Sequence, residues 1–126
     1  LNIILFNPHI YCYRAEYNII INTKTHTLTL FKDNIIYKNY KVAVGKPSTP
    51  TPKGNFKIIN RVVNPGGPFW ARWLGLNTPS GNYGIHGTNN PSSIGKSVSN
   101  GCIRIFNNQV IELSNIVSIG TSVKIT

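Results

Sequence analysis

Through the first part of the chain, apolar and polar residues alternate as they do in a strand that is buried on one face. From Thr25 to Phe31, Leu28 and Leu30 fall on one side and Thr27 and Thr29 on the other. The wider stretch from Tyr17 to Gly45 is rich in β-branched and aromatic residues. It is interrupted at Asp33-Asn34, a pair suited to a tight turn, which predicts a hairpin of 22–31 with 35–44, ended by Gly45. Pro47, Pro50 and Pro52 then fix φ and remove backbone donors, so this segment reads as a stiff, extended loop. Gly54 supplies a turn into a strand from Phe56 to Val63. From Asn64 to Gly84 the chain is loop-like but carries Phe69, Trp70 and Trp73, which suit either a lid on the core or the wall of a groove. Short strands are expected at Tyr83–Ile85 and Ile103–Ile105. A helix over 109–115, capped by Asn107 or Asn108, is expected to turn Val110, Ile111 and Leu113 inward. A strand from Ser122 to Thr126 closes the chain.

This pattern predicts one mostly-β domain, a β-sandwich or partly closed barrel with one short helix after the Ile103–Ile105 strand. The 126 residues, 40% of them hydrophobic, suit one core spanning 1–126, with 1–16 as an N-terminal extension. No apolar run is long enough to span a bilayer, and any export signal is expected upstream of Leu1. Thirteen Lys and Arg against three Asp and Glu give a net charge of +10. The basic residues are scattered singly, without a basic run or a recognition-helix pattern. The charge therefore points to polyanions in general, an acidic wall or peptide as readily as nucleic acid, and no specific nucleic-acid partner is expected. The two cysteines and three histidines show no metal-ligand spacing, and no cofactor is implied.

The segment from His86 to Ile105 has the parts that a thiol nucleophile needs. Cys102 follows Asn100-Gly101, a turn whose backbone N–H groups, with that of Cys102, could face a developing oxyanion. His86 is the candidate base. Arg104, two residues on, shares the Cys102 face of the strand, where it could bind a carboxylate and lower the thiol's pKa. A buried, inert cysteine and an ordinary loop histidine fit the same residues. Cys12 reads as a small buried apolar side chain, and His9 and His26 as structural. The residues suggest thiol chemistry and leave its substrate open.

HGT at 86–88 and SNGCIR at 99–104, preceded by VAVGKPSTPTPKGNF at 42–56 and NPGGPF at 64–69, resemble the YkuD-type L,D-transpeptidase family over almost the whole chain. The resemblance implies a cysteine acyltransferase on peptidoglycan stem peptides. Such an enzyme releases D-Ala from a tetrapeptide, holds a thioester and forms a 3–3 cross-link, outside the cytoplasm in the wall or envelope. It also implies acylation by β-lactams of the carbapenem class. An L,D-carboxypeptidase using water, or a non-catalytic wall-binding module, would preserve much of the same pattern. Many members have His where this chain has Asn100, which cannot serve as an acid or base. No acidic residue lies near His86 in sequence, so the Gly87 carbonyl is expected to orient it. Arg104, Ser99, Thr88, Tyr83, Trp70 and Trp73 are the expected substrate contacts.

Overall fold

The computed structural model describes residues 14–126. Three strands open it: β1 (Tyr17–Asn22), β2 (Thr27–Lys32) and β3 (Ile35–Lys41), paired antiparallel in succession. The alternation read from the sequence sets their register, for Leu28 and Leu30 are fully buried opposite Ile21 and Ile19. Asp33 and Asn34 both have positive φ (52° and 66°), the turn geometry that matches strand twist. The predicted first arm was too long, because a second turn separates β1 from β2. There the Asn22 side-chain oxygen accepts the N–H groups of Lys24 and Thr25, a local alternative to the ladder. The second arm was also too long. It ends at Lys41, and Val44–Gly45 (β4) pairs elsewhere, parallel to β8 (Ser97–Ser99).

β5 (Gly54–Val63) includes Gly54 itself. It pairs with β10 (Ser122–Ile125) and with β6 (Arg72–Leu76). β6 lies inside the segment read as loop. Its glycine and tryptophan spacing hid the strand, whose Leu74, Gly75 and Leu76 are buried. β7 (Gly84–His86) and β9 (Ile103–Arg104) complete a sheet of order β3-β2-β1-β10-β5-β6-β7-β9. The chain leaving β3 then reaches the opposite edge, where Ala43 exchanges backbone hydrogen bonds of 2.8 and 3.0 Å with Arg104. The sheet thus curls back on itself, the partly closed barrel of the two predicted alternatives.

Helix α1 (Asn107–Ile116) packs Val110 and Leu113 against the core, while Ile111 is only half-buried. It starts earlier than predicted, with Phe106 at the N-cap position. Neither asparagine caps it, because the Asn107 side chain is bound to Thr88. At the other end Arg61 donates to the carbonyls of Ser114 and Val117 (2.6 and 3.2 Å), satisfying acceptors the helix leaves open.

Candidate active site

The Cys102 side chain is positioned by a turn that is bonded on every side. Gly101 has φ of 119°, and the Tyr83 ring occupies the space a Cβ there would need. The Ser99 hydroxyl donates to the Cys102 carbonyl (2.6 Å) and accepts the Gly101 N–H (3.0 Å), closing the turn from within. From outside, the proline-rich loop holds the turn's carbonyls. Lys46 N–H and the Thr49 hydroxyl donate to Ser99 O (3.0 and 2.9 Å), and the Thr51 hydroxyl donates to Gly101 O (2.8 Å). A stiff loop was expected here. Its task as a brace was not legible, since three threonine and backbone contacts across about 50 residues leave no local pattern.

Two expectations change with this turn. Gly101 was expected to offer its N–H to an oxyanion, but that group points at Ser99 Oγ, leaving Asn100 and Cys102 as the backbone candidates. Ser99 was expected to touch substrate. It borders the pocket, yet its hydroxyl is engaged at both ends and serves the turn. Asn100 is exposed and its side-chain oxygen accepts from Lys46 Nζ (3.2 Å).

His86 is buried at the end of β7. Its Nδ1 lies 2.5 Å from the Gly87 carbonyl, which can only accept, so Nδ1 carries the proton and Nε2 presents a lone pair. The ring sits edge-to-face against Phe69 (5.1 Å between centroids) and stacks on Trp73 (5.9 Å, 22°). Trp73 is fixed in turn by its Nε1 donating to Asn60 Oδ1 (3.0 Å). The Trp73 ring also covers Gly84 so closely that a Cβ there would lie 2.7 Å from it.

His86 and Cys102 line one pocket of about 450 Å³, together with Phe69, Thr88, Asn100 and Arg104. Beyond its backbone pairing with Ala43, Arg104 has no side-chain hydrogen bond or ion pair among the described residues, so its guanidinium donors are available to a ligand. Thr88 is at the wall as expected. Three aromatic residues are not. Trp73 lies behind His86, Tyr83 lies behind Gly101, and Trp70 lines separate depressions with Gly66 and with Phe106. Large aromatics in this loop suited either a core lid or a groove wall; of Phe69, Trp70 and Trp73, only Phe69, which was not among the expected substrate contacts, reaches the pocket. Gly84 was read only as part of a short strand, yet its backbone faces the Cys102 thiol and favours the thiolate.

Burial dominates the electrostatics. It pushes the His86 pKa below the usual histidine value, against the bond to Gly87, and Arg104 adds to the fall. Burial pushes the Cys102 thiol up, outweighing the Gly84 backbone bond and Arg104, which both lower it. The expected lowering by Arg104 is therefore present but is the smallest contribution. At neutral pH the resting pair is a neutral thiol and a neutral imidazole. Among the described residues no cluster of three or more His, Cys, Asp or Glu could hold a metal ion. Cys12 and His9 lie outside the described residues, and His26 bonds Ser97 Oγ and does not line this pocket.

A half-buried thiol, a tautomer-fixed histidine and an arginine whose side chain has no partner among the described residues, all in one pocket, suit acyl transfer. The YkuD family, whose description is L,D-transpeptidase catalytic domain, matches residues 16–125. The chain belongs to this family. It is 56% identical over 113 residues to the YkuD protein of Bacillus subtilis (strain 168), assigned to the L,D-transpeptidases, covering 90% of this chain and 68% of that one. Its fold is that of an L,D-transpeptidase from Mycobacterium smegmatis (TM-score 0.73, 24% identity), with 89% of this chain and 59% of that chain covered. L,D-transpeptidase 3 from Mycobacterium tuberculosis, solved in complex with a faropenem-derived adduct, is similar at TM-score 0.78 and 17% identity, with 89% and 60% covered. The chain thus spans about three-fifths of each solved chain. Against the YkuD pattern, the His86-Gly87-Thr88 and Ser99–Arg104 segments are the ones the sheet brings side by side, through the parallel pairing of β7 with β9.

Proposed function

We propose that this domain is a peptidoglycan L,D-transpeptidase that forms 3–3 cross-links through a thioester on Cys102. The observation that carries this reading is the shared pocket of Cys102 and His86, with Nδ1 bonded to the Gly87 carbonyl and Nε2 left as acceptor. Because thiol and imidazole are both neutral at rest, the proton moves to Nε2 as sulfur attacks the carbonyl of the third stem residue. The N–H groups of Asn100 and Cys102 receive the oxyanion. His86 returns the proton to the departing amine of D-Ala. The side-chain amine of a second stem then attacks the thioester, giving its proton to His86, and the thiol is restored. The Arg104 side chain, which has no partner among the described residues, receives a stem-peptide carboxylate.

The same neutral thiol opens β-lactams, in line with the adduct of the penem faropenem on the Mycobacterium tuberculosis enzyme, and carbapenems, which share the strained lactam, are the expected inhibitors. Such substrates place the domain in the wall or envelope, outside the cytoplasm. Incubation with purified disaccharide-tetrapeptides, read by mass spectrometry, tests the proposal. Free D-Ala together with cross-linked dimers is the expected result. D-Ala without dimers would make the domain a carboxypeptidase, and neither product would leave a non-catalytic wall-binding module.

A further inference from the structure

We infer that Asn107 is the positioning residue of the catalytic histidine, acting through one peptide plane. This rests on the reading of His86 as the base for Cys102. The parallel ladder between β7 and β9 ends with Ile105 N–H donating to His86 O (3.0 Å). One step further the chain turns into α1, and no backbone remains to pair with Thr88. The Asn107 side-chain amide takes that place. Its Oδ1 accepts the Thr88 N–H (3.0 Å) and its Nδ2 donates to the Thr88 carbonyl (2.8 Å), as a strand residue would.

The Thr88 N–H and the Gly87 C=O belong to the same planar, trans peptide group and point in opposite directions. Holding the N–H on Asn107 therefore aims the carbonyl the other way, at His86 Nδ1. Accepting a hydrogen bond from the N–H also polarises the carbonyl and strengthens its bond to Nδ1. Gly87 has to be glycine for this approach, since a Cβ would collide with Asn107 Oδ1 and lie 2.8 Å from the Trp70 carbonyl. In a chain with three acidic residues, none of them lining the pocket, a neutral amide and a peptide thus do what a carboxylate does beside other catalytic histidines. Asn107 does not touch substrate; it fixes which ring nitrogen holds the proton.

The test combines ¹⁵N NMR of the histidine rings with alkylation of Cys102 by iodoacetamide, mapped by peptide mass spectrometry. Wild type should show His86 as the Nδ1–H tautomer, its signal assigned by its loss in His86→Ala. Asn107→Ala should mix the tautomers and slow Cys102 alkylation near neutral pH on the order of tenfold, the lower end of what loss of an outer partner costs at metal-ligating histidines. In the His86→Ala background the same change should cost nothing further, because the two residues act in series. Asn107→Asp keeps the acceptor for Thr88 N–H and should retain the tautomer, which serves as the reading if Asn107→Ala melts too low to measure. An unchanged tautomer in Asn107→Ala, or an equal loss of rate with and without His86, overturns the assignment. If His86→Ala itself leaves alkylation unchanged, the Cys–His pairing fails, while the tautomer spectrum still decides the role of Asn107.

Discussion

The β1–β3 meander and the β6–β7–β9 region belong to one sheet but are held together differently. In the meander, strands of six and seven residues pair in long registers, and alternating Ile19, Ile21, Leu28 and Leu30 fill the core. Around the pocket, β7 and β9 are three and two residues long, and side chains complete what the ladder does not. Ser99, Thr49, Thr51 and Asn107 all bond to backbone there, and Gly84, Gly87 and Gly101 admit Trp73, Asn107 and Tyr83 at distances a Cβ would forbid. Stability comes from apolar periodicity in the first region. Aim comes from polar contacts and close approach in the second. Damage to the two should therefore read out in different quantities.

The largest contrast is at Cys102, the proposed nucleophile. Cys102→Ala should abolish D-Ala release with the melting temperature nearly unchanged, whereas Cys12→Ala should keep activity. Equal loss in both folded variants would break the assignment. His86→Ala should slow Cys102 chemistry by ~10²–10⁴-fold, the usual contribution of a general base. Leu28→Ala, in the meander core, should cost about 2–5 kcal/mol of stability and leave turnover per folded molecule intact. Thermal melts and activity normalised to folded protein separate these two outcomes.

The two regions also differ in how far they could be read from sequence. Leu28, Leu30 and the Asp33-Asn34 turn announced the meander because a two-residue period and turn chemistry are local signals. That Cys102 and His86 share a pocket, with the Gly87 carbonyl on the ring, was legible through the HGT and SNGCIR segments and the lack of a nearby acid, since the residues alone also fitted an inert cysteine and a loop histidine. β6 was missed, since Gly75 and the tryptophans mask its pattern. Trp70, Trp73 and Tyr83 were misplaced for a different reason. An aromatic in a loop can face a ligand or back a pocket residue, and only the three-dimensional neighbours, His86 for Trp73 and Gly101 for Tyr83, decide which. The Gly101 N–H was lost to Ser99 through a bond two residues apart, which a motif alone does not reveal.

Smaller effects sharpen the contrast further. Arg104→Lys keeps the charge but loses the two-pronged donor, so KM for tetrapeptide should rise several-fold while alkylation by a small neutral reagent is largely kept. A markedly lower melting temperature with KM unchanged would make Arg104 scaffold. The smallest expected effect is on acid stability. The folded His86 pKa lies below its unfolded value, so the unfolded chain binds more protons as pH falls below about 6.5, and stability is lost on the acid side. His86→Gln should flatten that part of a melting-temperature profile. An equally steep acid loss in the variant would show that another group carries it.

Formation of a covalent acyl-enzyme on Cys102 tests the central claim most directly. Intact-mass measurement after incubation with a carbapenem should show one drug-sized adduct on wild type, located at Cys102 by peptide mapping, and none on Cys102→Ala. An adduct on another residue, or no adduct at high drug excess, would contradict it.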